Sequence, residues 1–301
     1  TQKMGDLQRR ADQELVNAMQ DEKYLQQRER SQPAAPDILY GSIDAAKVRI
    51  EPRNPKEKML ENRETWRDVK VGCWYEGEVV PVRQQSTRQQ EKIQRESVVL
   101  RAKQQKYFCD IAEAQEFGKL LWATGCVAGA DRVRQLVFIC DGAVWIWNLI
   151  AQYFPNAIQI VDWYHAADRL KRIAEEGFPT LEERQTWLQQ VTEDLWQGRV
   201  ELVIEACRPL ATKSKWAQQS LTYYSNNIER MRCDQFRAAN LLIGSGVIES
   251  ACKQIVTQRL KLPGAQWHLD GAILTAKART AWMSGVWQKL VSARSLLPLA
   301  A

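Results

Sequence analysis

A chain of 301 residues with a formal net charge of +6 is long enough to bury a sizeable core, as one large domain or two medium ones. No stretch approaches the ~20 apolar residues that cross a bilayer, and the polar N-terminus lacks the charged-then-apolar layout of a signal peptide. Seven cysteines, an odd number with no C-x-x-C pair, argue against a disulfide framework and a zinc knuckle, and for a soluble intracellular protein with reduced thiols. Because it begins at Thr1 rather than Met, the sequence is expected to be a fragment or a processed form.

From Thr1 to Arg30 the sequence is rich in Gln, Glu, Asp, Lys and Arg, while Met4, Leu7, Ala11, Leu15 and Met19 keep a helical stripe. This predicts one helix, either the tail of something upstream or a packing arm, with prolines marking Ser31–Pro36 as a linker. Alternation at Lys47-Val48-Arg49-Ile50 predicts a strand with Asp44 at or near its start. Glu51 to Glu64 is charged and irregular and reads as a loop. Trp66–Tyr75 alternates again, and a third strand is expected around Tyr107-Phe108-Cys109. Ala112–Thr124 then reads as a helix.

The most informative stretch is Leu136–His165. Leu136–Cys140 is a short apolar run stopped by Asp141-Gly142, as a buried strand would be. Trp145, Ile146, Leu149, Ile150 and Tyr153 then fall on one helical face, closed by Pro155-Asn156. A second apolar run from Ala157 stops at Asp162. Strand, crossover helix and strand make a parallel pair, so both strands finish at one sheet edge with an aspartate at each tip. Open α/β sheets place their chemistry at that edge. A lone Asp-Gly is an ordinary turn pair, but two carboxylates held close need a cation or protons to offset them.

Ala166–Asn240 shows no strand and repeated helical stripes such as Leu181, Trp187, Leu188, Val191 and Leu195. The glycine-rich turn Leu241–Gly246 leads into an amphipathic helix, Val247–Leu260, with Glu249 in its first turn, where the helix dipole favours an acid in any case. Position 248 is Ile, so Ser245 makes no capping box, and Glu249 stands where a dinucleotide fingerprint would need its third glycine. Pro263-Gly264 closes this helix, and one or two more follow over Trp267–Val291. With His165 and His268 the only histidines, no H-x-H or H-E-x-x-H metal motif exists. From Ser250 onward, Lys253, Arg259, Lys261, Lys277, Arg279, Lys289 and Arg294 stand against Asp270 alone, so this stretch carries an excess equal to the whole chain's. With twelve tryptophans in the chain, this suits nucleic acid, or else a solvated helix face over core aromatics.

Several blocks carry a family resemblance: Ser42-Ile-Asp-Ala-Ala46, Trp66-Arg-Asp-Val-Lys-Val-Gly72, Cys140-Asp-Gly-Ala-Val-Trp-Ile-Trp147, Val161-Asp-Trp-Tyr-His165 and Ile243-Gly-Ser-Gly-Val-Ile-Glu-Ser-Ala-Cys-Lys253. Arg259–Trp267 and Ala281–Gly285 fit as well. Together they resemble bacterial insertion-sequence transposases of the DDE class, close to the ISKra type, over Ser42–Trp287. The resemblance implies an α/β ribonuclease-H-like fold, a mixed five-stranded sheet flanked by helices and interrupted by an all-helical insertion. Residues 1–36 would form an arm and linker, 37–165 the first part of the core, and 166–243 the insertion. Residues 244–301 would complete the core with the glutamate helix and the basic C-terminal helices.

It further implies Asp44, Asp141 and Glu249 as catalytic metal ligands for Mg²⁺, with Mn²⁺ as substitute. Two ions ~3.5–4 Å apart would suit phosphodiester cleavage and the joining of a 3′-hydroxyl to target DNA. Asp162-x-x-His165 looks like the D-x-x-H motif of related transposases, supporting the site or touching the transposon end. Lys253, one turn after Glu249, would contact a phosphate or pair with that acid. Arg259 and Trp267 are candidates for the DNA track, with core packing an equal reading of the tryptophan. The implied partner is double-stranded DNA, bound by a homo-oligomer at the bacterial nucleoid in the cytoplasm. Asp68, also on a predicted strand, remains open as the first carboxylate. Cys233 and Asn240 depart from the pattern, which has Tyr and Gly there, and the usual upstream DNA-binding domain lies outside the resemblance. A nuclease that hydrolyses without joining, and a decayed remnant that only binds DNA, stand as alternatives.

Overall fold

The computed structural model describes residues 1–31, 34–51, 66–81 and 98–292; positions 52–64 of the expected loop and part of the 31–36 linker fall outside them. The elements begin with α1 (Gln2–Ala18), α2 (Glu22–Ser31), β1 (Ile38–Arg49), β2 (Trp66–Pro81), β3 (Val98–Asp110), α3 (Ala114–Ala128), β4 (Gln135–Cys140), α4 (Val144–Tyr153) and β5 (Ile158–Val161). They continue with α5 (Trp163–Gly177), α6 (Leu181–Trp196), α7 (Val200–Cys207), α8 (Lys215–Asn226) and α9 (Cys233–Ala238). Last come α10 (Gly246–Cys252), a π-helical turn (Lys253–Thr257), α11 (Gln258–Leu260), α12 (Leu269–Met283) and α13 (Trp287–Ser292). The fold is α/β, with helices flanking a mixed five-stranded sheet of order β3-β2-β1-β4-β5. None of the described helices is long and apolar enough to cross a membrane.

The chain divides into two compact units, Thr1–Leu136 with Gln152–Asn156 and Val247–Ala301, and Val137–Ala151 with Ala157–Gly246. In the first, the three strands expected from the sequence, β1, β2 and β3, form an antiparallel meander. β1 is much longer than the Lys47–Ile50 strand predicted, and Asp44 is the seventh of its twelve residues rather than its start. The reason is burial on both faces: Leu39, Tyr40, Ser42 and Ile43 are all buried, which erases the alternation that marks a half-exposed strand.

Register decides which residues share a face. Ile43 lies opposite Gly72, and Gly72 opposite Phe108, whose ring stacks 5.5 Å from that of Phe117 on α3. Trp74 joins this layer and donates its indole N–H to Thr124 Oγ1 at 3.0 Å, so α3 covers that face. Asp44 is opposite Val71, and Val71 opposite Cys109, so these three point to the other face.

The single N-terminal helix predicted is two helices, broken where Asp21 Oδ1 accepts the Lys23 and Tyr24 amides at 2.8 and 3.3 Å and so caps α2. The stripe read from sequence is buried: Met4 and Ala11 pack with Ala278, Ala281 and Leu290, and Leu15, Met19 and Tyr24 with Ala123 and Cys126. Each such Leu or Met contributes roughly 1.5–3 kcal/mol when fully buried. This helix is therefore a packing arm.

In the second unit β4 and β5 are parallel, with Cys140 level with Val161, as the strand–helix–strand reading requires. From Trp163 to Ala238 every regular element is helical, and Leu170, Ile173, Val191, Leu195, Val203 and Tyr224 are buried there. Thr180 and Glu183 close a capping box at the start of α6. Asn240 has φ +55°, a left-handed conformation that Asn tolerates better than most residues.

Candidate active site

Both strand-tip aspartates have a structural role, Asp141 in the turn before a helix and Asp162 as a helix cap. Asp141 Oδ1 accepts the Ala143 amide at 2.9 Å, in the first turn leading into α4. Gly142 has φ +97°, and a Cβ there would stand 2.5 Å from the Tyr223 ring, so conformation and space both require glycine. Tyr223 on α8 also donates its hydroxyl to the Asp141 carbonyl at 3.0 Å. The Asp141 tip is thus clamped from the helical segment, while its carboxylate stays partly exposed.

Asp162 is more deeply engaged. It is fully buried, and Oδ1 accepts the Tyr164 amide at 2.7 Å, capping α5. Oδ2 accepts the Ser245 amide at 3.1 Å and the Ser245 hydroxyl, and lies 3.1 Å from His165 Nδ1. Backbone bonds close the same knot, from the Asp162 amide to the Cys140 carbonyl at 2.8 Å and from the Trp163 amide to the Ile243 carbonyl at 2.9 Å. A Cβ on Gly244 would meet the Tyr164 ring at 2.8 Å, which explains the glycine in this turn. Burial pushes the Asp162 carboxyl up, but the His165 and Ser245 hydrogen bonds, the His165 charge and the Tyr164 amide more than reverse this, leaving it below the usual aspartate value. The His165 ring itself is half-exposed.

Asp162→Ala should therefore cost about 2–4 kcal/mol, because the Ser245 and Tyr164 donors lose their buried acceptor. A depressed carboxyl pKa gives stability that is fully present above the ordinary aspartate value and lost as pH falls through the native one. Urea unfolding between about pH 6 and pH 2 checks this: the wild type should lose stability toward acid more steeply than Asp162→Asn.

In the first unit, Asp44 is half-buried and hydrogen-bonded with the Cys252 thiol. Cys252 ends α10, one turn after Glu249, so Asp44 meets the side of the helix that bears this acid. Burial, and then the Asp44 charge, push the Cys252 thiol well above its ordinary pKa, so it stays neutral and leaves carboxylate oxygens as the donors. Glu249 itself is exposed. Asp68 pairs in register with Lys47, is exposed, and points to the face opposite Asp44.

The remaining candidates are spread out. Lys253 is exposed at the start of the π-helical turn that interrupts the Glu249 helix, an irregularity often found at functional sites. Arg259 lies near Arg279, whose pKa is lowered by burial and then by that like charge. Trp267 has a structural task, since its indole N–H donates to the Leu260 carbonyl at 3.0 Å and its carbonyl accepts the Glu51 amide at 2.8 Å. Lys277 does not belong with the basic residues offered to DNA: it is buried and paired with Asp12 and Asp110 at 2.6 and 3.0 Å. Sequence reasoning missed Ser245, Tyr223 and Cys252. Ser245 and Asp162 are 83 residues apart, and no local pattern announces such a partner.

No family model matches the chain, and no curated protein matches it.

Proposed function

We propose that the chain is the catalytic core of a metal-dependent DNA transposase with a ribonuclease-H-like fold, its helical segment after β5 being an insertion. The observation that carries this reading is Asp44 in the middle of the central strand, hydrogen-bonded to the helix turn that follows Glu249. Two features support it. The strand order joins an antiparallel meander to a parallel β–α–β pair, and Asp141 directly follows β4, the neighbour of β1 in that order.

In this reading Asp44, Asp141 and Glu249 hold the cations, and Asp162 holds the glycine-rich turn from which the Glu249 helix starts. Bound Mg²⁺ supplies activation of a water or 3′-hydroxyl and charge stabilisation on the leaving oxygen. Lys253, Arg259 and Arg279 neutralise backbone phosphates. The substrate is double-stranded DNA, and the protein works as a homo-oligomer on it.

The test is incubation of the purified chain with supercoiled plasmid in Mg²⁺, Mn²⁺, Ca²⁺ or chelator, and with a labelled duplex bearing a free 3′-hydroxyl. Nicking that requires Mg²⁺ or Mn²⁺, together with label joined to plasmid, is expected. Nicking without joining would replace the transposase by a hydrolytic nuclease. No cleavage in any metal would overturn the reading.

A further inference from the structure

The helical segment carries a feature that the metal site does not use. Along α5, His165, Arg169 and Arg172 follow at intervals of four and three residues, which puts them on one face within two turns. Two of them sit over aromatic rings of α8: the Arg169 guanidinium carbon is 3.9 Å from the Tyr223 ring centroid, and that of Arg172 4.6 Å from that of Trp216. A guanidinium held over a ring is fixed in place, Arg169 also donating to the Tyr223 hydroxyl, and its remaining N–H donors suit a phosphate. The row starts at the strand tip, because the Tyr223 ring under Arg169 donates its hydroxyl to the Asp141 carbonyl.

Acids face the row too, but most are already engaged. Asp168 lies 3.3 Å from Lys171 and 3.6 Å from Arg172. Glu176 accepts the Ser214 hydroxyl at 2.6 Å and the Trp216 amide at 3.3 Å, which spends its charge on the start of α8. Glu175 is exposed on the same helix. Arg172 and Lys171 remain about half exposed even with Asp168 beside them, so an incoming polyanion can compete for both.

We propose that the α5–α8 seam, with Arg169 and Arg172 held on Tyr223 and Trp216, is a track for the phosphodiester backbone of DNA leading away from Asp141. It rests on the DNA-processing reading above and adds where the strand runs. Guanidiniums held in this way give a pre-organised pair of phosphate ligands, so each should release counterions when DNA binds.

The experiment is fluorescence anisotropy of a labelled random-sequence duplex with the full chain, titrated between about 50 and 200 mM salt. Arg169→Gln and Arg172→Gln should each lower the slope of log K against log salt by about 0.9, the value of one phosphate contact. Arg172→Lys keeps the charge and should keep the slope, with weaker binding because the flat fork is lost. Arg208→Gln, an exposed arginine paired with Glu205 in the same unit, should leave the slope unchanged. Thermal unfolding of each variant checks that the fold is intact. Salt-dependent binding whose slope ignores Arg169 and Arg172, or responds equally to Arg208, overturns the track and leaves the functional reading standing. No salt-dependent binding by the wild type overturns both.

Discussion

Lys277→Ala should cost about 3–5 kcal/mol of unfolding free energy, the usual consequence of removing one partner from a buried ion pair. Its ammonium is buried in α12 and bonds Asp12 of α1 at 2.6 Å, Asp110 at the end of β3 at 3.0 Å and the Cys109 carbonyl at 2.9 Å. Burial alone would lower its pKa, but the Asp12 and Asp110 charges more than reverse that, so it lies above the ordinary lysine value. A raised native pKa gives stability that is complete below the unfolded lysine value of about 10.4 and lost as pH climbs beyond it. The pair joins the N-terminal arm to the sheet, so its loss should free α1 as well as lower the unfolding midpoint. Urea denaturation near neutral pH and again near pH 11 measures both effects. Lys277→Met combined with Asp12→Leu should recover most of the loss, since apolar replacements of a buried pair are often neutral or better. A single Lys277→Ala that costs under about 1 kcal/mol would mean that water reaches the pair and the burial argument fails.

This triad also marks the limit of what the sequence reveals. The strand–helix–strand unit at 136–162 was legible because its period changes sharply and an aspartate ends each strand. The stripe from Met4 to Met19 was legible for the same reason, though not the break that Asp21 caps. Charge counting misplaced Lys277, because a lysine's formal charge says nothing about burial, and its acidic partners lie 265 and 167 positions away. β1 was read too short because burial on both faces replaces alternation by a mixed run of Gly, Ser and apolar residues. At the candidate site the acids themselves were visible, but the groups that hold them were not. Cys252 beside Asp44, Tyr223 on the Asp141 carbonyl and Ser245 on Asp162 are contacts made by the fold, between residues with no shared local pattern.

Asp44→Asn and Glu249→Gln should each reduce Mg²⁺-dependent plasmid nicking by a factor on the order of 10²–10³ or more, while leaving the fold intact. Each change keeps the side chain's size and removes the negative charge, so the loss would report cation binding rather than packing. Asp44 is half-buried at the middle of a strand, and its hydrogen bond with Cys252 survives as an amide–thiol contact, so the Asn variant should unfold within about 1 kcal/mol of wild type. Asp68→Asn is the decisive comparison, because Asp68 lies on the same meander but on the opposite face. If the cation is held on the Asp44 face, Asp68→Asn keeps its activity and its Mn²⁺ binding, measured as the fraction of free Mn²⁺ by electron paramagnetic resonance. Loss with Asp68→Asn but not Asp44→Asn would move the first ligand to the other face and separate it from the Glu249 helix. Retention of Mn²⁺ binding in all three variants would leave Asp44 and Glu249 as a strand residue and a helix-start acid, stabilised by the helix dipole and nothing more.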